Sequence, residues 1–289
     1  MVQVSFIVER SVKIFCLILF IFTLVTLFAC QKQQVLSSQP RYIVTSPEIA
    51  EIIAAVAGTE NIVGVTTECN YPPELQAITK VGTFGNVSIE KILKMNPTLV
   101  FTSGLEQELV STDLGKLNLQ VVSLYPQSVQ ELLDTVRKIG LLTDNSVKAD
   151  AIADSLEIAL NTIRNNISSD QPRVYVEIYG SPLMSVANNS FVGELIELAG
   201  GDNIFSELPR NYSRIKPEEI INRDPEIILI TYPGISREDI INRKGWSDIS
   251  ACLDQRIYTI DDIDPDLILR ASVRVTEGLQ RLREIFDER

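Results

Sequence analysis

Whatever chemistry this chain performs, it performs without histidine, of which its 289 residues contain none. That excludes Ser-His-Asp and Cys-His nucleophile pairs and any imidazole-held metal. No segment reads G-x-G-x-x-G or G-x-x-x-x-G-K-[ST]; Gly82-Thr83-Phe84-Gly85 and Gly200-Gly201 are sparse and lack the helix-opening context of a phosphate cradle. Asp261 and Asp262 could in principle share acid–base work, yet adjacent carboxylates in a turn are more often simply solvated. Enzyme activity is left without a chemical handle, so the expectation is a protein that is not an enzyme, with no metal site and no cofactor of its own. A pair of acids says more. The stretch from Ser88 to Val100 aligns without gaps on the stretch from Lys216 to Ile228, and in both a first-turn glutamate stands seven residues before a proline and a β-rich run. Either glutamate alone is explained by the helix dipole. The matching positions of Glu90 and Glu218 in two halves carry more information, although two helices with stabilising acidic starts would look the same.

The elements that must position such residues alternate. Residues 42–45 read as a strand, and Pro47 opens a helix that reaches Val56 and ends at Gly58. A strand at 62–65 follows; Ser88 caps a helix over 89–95 that Asn96-Pro97 stops, and 99–101 and 121–124 continue the same grammar. Alternating β and α units of this length imply a mostly parallel sheet with helices on both faces. Between Asn145 and Ile167, apolar residues at Val147, Ala151, Ile152, Leu156, Ala159, Leu160 and Ile163 keep a helical period, which makes a rod of about 35 Å. Ser168-Ser169-Asp170-Gln171-Pro172 ends it, and the alternation resumes at Val174. The simplest parse is an N-terminal α/β lobe over 41–143, a linking helix over 144–168 and a C-terminal α/β lobe over 172–289.

The start of the chain reads as an address. Arg10 and Lys13 precede an apolar run from Ile14 to Ala29, as in the charged start and hydrophobic middle of a signal peptide over 1–29. Leu27-Phe28-Ala29-Cys30 matches the bacterial lipobox, whose cysteine thiol receives a diacylglycerol. A polar, flexible tether over 30–40 follows. The alternative is an uncleaved anchor with a chance cysteine, for which the apolar run is short. Either way the rest lies outside the cytoplasm, in the periplasm or on the outer face of the cytoplasmic membrane. Cys69 and Cys252 are the remaining thiols, and their placement in different lobes leaves them unpaired. With 38 acidic against 26 basic residues, a net charge of −12 repels nucleic acid.

Read together, these segments resemble the periplasmic-binding-protein group that serves importers of cobalamin, haem and ferric siderophores. The resemblance runs through Ser46-Pro47-Glu48-Ile49-Ala50-Glu51-Ile52-Ile53, Ile62-Val63-Gly64-Val65-Thr66 and Lys80-Val81-Gly82. It continues in the Glu90 and Glu218 segments, Leu195 to Phe205 and Gly245-Trp246. Cys69-Asn70-Tyr71-Pro72-Pro73-Glu74-Leu75 is similar to the cobalamin-binding branch in particular. The resemblance implies two Rossmann-like lobes joined by a single long rigid helix, with a ligand in the cleft between them. It implies docking of Glu90 and Glu218 onto arginines of a permease dimer that works with an ATPase. Cleft residues implied by matched positions are Tyr71 with Pro72, Phe84, Tyr179 and Tyr212; prolines stiffen the loop and the aromatic face offers apolar contact at low entropic cost. The family's last loop often carries an acid followed by an arginine, whereas Asp261-Asp262-Ile263-Asp264-Pro265-Asp266 is entirely acidic. Asp262 is expected to keep the acceptor role towards a corrin's amides, with the arginine's role unassigned.

The implied function is an extracytoplasmic, lipid-anchored binder, monomeric when free, that delivers a cobalt corrinoid to an ABC importer. Within the same fold the rival is a haem or ferric-siderophore binder. With no histidine, tyrosine is the main candidate to hold a haem iron, and an anionic siderophore would call on Arg210, Arg214, Arg270 and Arg274. A structural lipoprotein without ligand is the third alternative.

Overall fold

A computed structural model describes residues 39–104, 107–167 and 170–288. The expected signal peptide, Cys30 and nearly all of the tether lie outside the described residues. The described residues from 41 onward form one compact unit.

The first half runs β1 (Tyr42–Val44), α1 (Pro47–Ala57), β2 (Ile62–Thr66), a 3-10 turn (Pro73–Ala77), β3 (Lys80–Thr83), β4 (Asn86–Val87), α2 (Ile89–Lys94), β5 (Leu99–Ser103), α3 (Glu108–Lys116), β6 (Val121–Leu124) and α4 (Val129–Leu142). Helix α5 (Ser146–Arg164) leads to β7 (Arg173–Glu177), β8 (Tyr179–Gly180), β9 (Leu183–Val186), α6 (Phe191–Ala199), β10 (Asp202–Asn203) and β11 (Tyr212–Arg214). The chain closes with α7 (Pro217–Arg223), β12 (Ile227–Ile230), α8 (Arg237–Ile241), α9 (Ser250–Leu253), β13 (Ile257–Tyr258), α10 (Asp266–Leu269) and α11 (Val275–Asp287).

Two separate parallel sheets result. The first has the order β4-β3-β2-β1-β5-β6, with only β4 antiparallel to its neighbour, and the second the order β10-β7-β12-β13. A small antiparallel sheet, β11-β9-β8, accompanies the second. The alternation of side chains along a strand divides the core: Val44 and Phe101 pack to one face of the first sheet while Ile43 and Val100 pack to the other. In the second sheet Val174, Val176, Ile227 and Leu229 face one way, and Tyr175, Ile228 and Ile230 the other. Both faces of both sheets are therefore covered, as the near-continuous apolar strands require.

The repeat seen around Glu90 and Glu218 extends to backbone geometry. Helices α2 and α7 are followed by a residue in the left-handed region, Asn96 at φ 46° and Asp224 at φ 43°, and then by Pro97 or Pro225 and a core strand. Asn and Asp tolerate that conformation where a branched residue would not, so both copies make the same sharp exit.

Helices α4 and α5 form an antiparallel hairpin, turned at Asp144 with φ 57°. A single core cluster includes Val136 of α4 and Leu156 and Leu160 of α5 together with Val44 and Phe101 of the first sheet and Val176 and Leu195 of the second half. The apolar stripe of α5 is thus shared between the halves. It ends at Arg164, short of the periodic pattern to Ile167, because Asn165 and Asn166 are weak helix formers and the Asn166 amide donates to the Thr162 carbonyl at 2.8 Å. Where the hairpin closes, a Cβ on Gly140 would lie 2.3 Å from the Ala149 Cβ and 3.2 Å from the Ser146 Cα. Gly140→Val is therefore expected to cost about 1–3 kcal/mol by overpacking, read as a lowered urea midpoint at unchanged slope. An unchanged midpoint would show that the hairpin can spread freely at this point.

Candidate functional site

In open α/β sheets ligands sit beyond the carboxyl ends of the strands, and there this molecule places most of its unusual side chains. The loop after β2 carries Glu68, Cys69, Asn70 and Tyr71. Thr66 anchors its base by donating to the Thr45 carbonyl at 3.1 Å, and Cys69 is fully buried with its thiol pushed up to about 11, chiefly by that burial. Cys252 is also buried, and both are free thiols. The folded protein at pH 8 is accordingly expected to consume no Ellman's reagent at these two positions until denaturant is added; rapid native reaction would contradict their burial.

Tyr71 remains 41% exposed, and one face of its ring is covered by the Arg274 guanidinium 4.1 Å from the centroid. Arg274 comes from the far end of the chain and is held there by Glu51 of α1. The buried Glu51 carboxylate accepts from Arg274 Nε and Nη2, each at 2.8 Å, from Arg270 Nη1 at 2.9 Å and from Ser272 Oγ at 2.7 Å. Arg270 also donates to Asn70 Oδ1 at 2.8 Å and the Glu68 carbonyl at 3.1 Å, and pairs with Asp266 at 2.8 Å. Asp264 lies 3.5 Å from Arg274. Burial raises the Asp266 carboxyl above its ordinary value, against the pull of Arg270. Three acids thus surround two arginines, so neither arginine is an uncompensated cation.

Phe84 sits at the tip of the β3–β4 hairpin, half-buried and tied at both ends of its peptide: its N–H donates to Glu68 at 2.8 Å, and its carbonyl accepts from Gln107 at 2.9 Å. Glu68 thereby joins Phe84 to the Tyr71 loop. Pro72 follows Tyr71 directly and leads into the 3-10 turn.

The second half presents its own aromatic edge at the end of β7. Tyr179 is 53% exposed and packs against Tyr232 with ring centroids 6.4 Å apart. Tyr232 donates to the buried Glu177, which also accepts from Tyr175 at 2.9 Å and bidentately from Arg243 at 2.6 and 2.7 Å. Burial and the Glu177 hydrogen bond push the Tyr232 phenol up to about 12. Gly180 admits this arrangement, because a Cβ there would meet the Tyr232 hydroxyl at 2.2 Å.

The other expected site residues are placed as follows. Tyr212 lies on β11 opposite Val186, half-buried against the core. Its neighbour Asn211 donates across the halves to Gln127 at 2.9 Å, and Glu194 of α6 accepts from the Val129 N–H of α4 at 2.7 Å. The Asp262 carboxylate accepts from the Thr259 N–H at 2.8 Å and pairs with Arg237. Asp266 and Arg270, four residues apart, form an ion pair just beyond it. Glu90 and Glu218 are both exposed in the first turns of α2 and α7, Glu90 with Lys94 at 2.6 Å. The described contacts bring Tyr71, Phe84, Asn70, Asp266 and the two arginines into one group and Tyr179, Tyr232 and Glu177 into another. A depression of about 780 Å³ lined by Glu226, Arg256, Tyr258 and Glu288 lies elsewhere, around residues that precede β12 and β13, where an α/β ligand site is not expected. Among the described residues no acidic or cysteine cluster could hold a metal, and no helix is long and apolar enough to cross a membrane.

The Periplasmic binding protein family profile matches residues 43–263. The chain belongs to this family. The uncharacterized ABC transporter substrate-binding lipoprotein YvrC of Bacillus subtilis is 28% identical over 89% of this chain and 83% of its own. A possible iron-binding, periplasmic solute-binding protein of Staphylococcus epidermidis superposes with a TM-score of 0.74 at 27% identity, covering 86% of this chain and 98% of that one. The periplasmic vitamin B12 binding protein BtuF of Vibrio cholerae superposes with a TM-score of 0.71 at 22% identity, covering 85% and 96%. This periplasmic binding protein is therefore a substrate-binding protein and not an enzyme, with the α/β architecture of its relatives.

Proposed function

We propose that this protein captures a corrinoid between its two α/β halves outside the cytoplasm and delivers it to the permease of an ABC importer, whose ATPase drives uptake. The observation that carries the choice of ligand is the charge balance beside Tyr71. Arg270 and Arg274 are compensated by Glu51, Asp264 and Asp266, so an anionic siderophore or a propionate-bearing haem would find no spare positive charge from them. A neutral, amide-rich macrocycle suits aromatic faces with scattered donors and acceptors. Tyr71, Pro72, Phe84, Tyr179 and Tyr212 supply the apolar contact in this reading, and the carboxylates of Asp262 and Asp266, each beside an arginine and 22% and 26% exposed, offer acceptors to a corrin's amides. The likeness to a vitamin B12 binding protein supports it. Anchoring by a diacylglycerol on Cys30 is supported by the Leu27-Phe28-Ala29-Cys30 motif and by the lipoprotein name of the Bacillus relative.

An iron ligand, haem or a ferric siderophore, is the second reading, favoured by the name of the Staphylococcus structure. Isothermal titration with cyanocobalamin, haemin and a ferric hydroxamate separates the cases. Saturable heat with cyanocobalamin alone is the expected result; binding of haemin or the hydroxamate instead moves the ligand to iron, and binding of none leaves a lipoprotein without a cargo.

A further inference from the structure

The loop that carries Tyr71 belongs to the first half by chain and to the second by contact. Three of its attachments come from residues about 200 positions away: Arg270 holds the Glu68 carbonyl and the Asn70 side chain, and Arg274 covers the Tyr71 ring. Neither arginine orients itself. Both forks close on the buried Glu51 carboxylate, whose two oxygens accept four hydrogen bonds of 2.7–2.9 Å. A guanidinium gripped bidentately is fixed in plane as well as in position, and the plane is what a ring stacked 4.1 Å away feels.

We propose that Glu51 is a positioning residue for the ligand platform: through Arg274 and Arg270 it sets the orientation of Tyr71, so that the platform exists only while the two halves are in contact at this point. Glu51 touches no ligand in this scheme. Its effect passes through the guanidinium to the ring, and a lysine at 274 would keep the charge near Glu51 while losing the plane. The proposal rests on Tyr71 being the ligand's contact, and the experiment separates the two claims.

The test uses the full soluble chain with 3-fluorotyrosine placed at position 71, its fluorine resonance recorded without ligand, and cyanocobalamin affinity measured for Arg274→Lys and Glu51→Gln with and without Tyr71→Ala. Arg274→Lys guards against Glu51→Gln failing to fold. The expected results are a shifted and broadened fluorine line in either variant and an affinity loss of about tenfold, the order of a desolvated cation–π contact. In the Tyr71→Ala background the same substitutions should change affinity less than about twofold. An unmoved fluorine line, or an equal loss in both backgrounds, overturns the positioning role. If Tyr71→Ala alone leaves affinity intact, the ligand contact is wrong, and the fluorine line still decides whether Glu51 positions the ring.

Discussion

Glu51→Ala is expected to destabilise the fold by about 3–5 kcal/mol, because it takes from two largely buried guanidiniums the anion on which both close. Arg270 and Arg274 are only 10% and 8% exposed, so water cannot take over the lost hydrogen bonds. In a chain of this size the loss corresponds to about 6–10 °C in melting temperature. Differential scanning calorimetry reads it directly, and a midpoint within about 2 °C of the native protein would show that the cluster relaxes into solvent when Glu51 is removed. Glu51→Leu with Arg274→Met should recover part of the stability, since replacing a buried pair by packed apolar groups is far less costly than breaking it.

Reversing both Glu90 and Glu218 to lysine is expected to abolish uptake while ligand affinity stays within about twofold. Both side chains are exposed on the first turns of α2 and α7, and no described contact ties either to the Tyr71 or the Tyr179 group. The Lys94 partner of Glu90 is itself 73% exposed, a screened pair that an arginine of the permease can displace. Charge-assisted carboxylate–arginine pairs at two well-separated points would fix the binding protein's orientation on its transporter, and lysines there would repel it. Transport assays in cells beside titrations of the purified variant distinguish docking from binding. Undiminished uptake by the double variant would remove the docking role.

The contrast between what was legible in the sequence and what was not follows the range of the interactions involved. Strands and helices of the first half could be read from local signals: Pro47 and Gly58 bound α1, Ser88 caps α2 by accepting from the Lys91 N–H at 3.4 Å, and Asn96-Pro97 stops it. The duplicated exit through Asn96 and Asp224 was visible as an alignment, though its left-handed geometry was not. Long-range pairings were hidden. The one local sign at Glu51 is its place between Ile49 and the Ile52-Ile53 pair on the buried side, where a charge among core residues signals a buried partner. That partner is 219 to 223 residues away, a separation at which no sequence period operates. For the same reason nothing local marks Arg270 and Arg274, candidates for an anionic siderophore, as cations already compensated in the fold. Within the acidic stretch the contacts are local: the Thr259 turn and Arg237 hold Asp262, while Asp266 and Arg270 meet across one helical turn.

The most direct measurement is a crystal structure of the protein grown with cyanocobalamin. Density for the corrin against the open face of Tyr71, between the two sheets and within reach of Asp266 and Asn70, is the outcome expected here. A corrin seated in the depression around Glu226, Arg256 and Tyr258, or crystals that exclude it at saturating concentration, would contradict the assignment of both ligand and site.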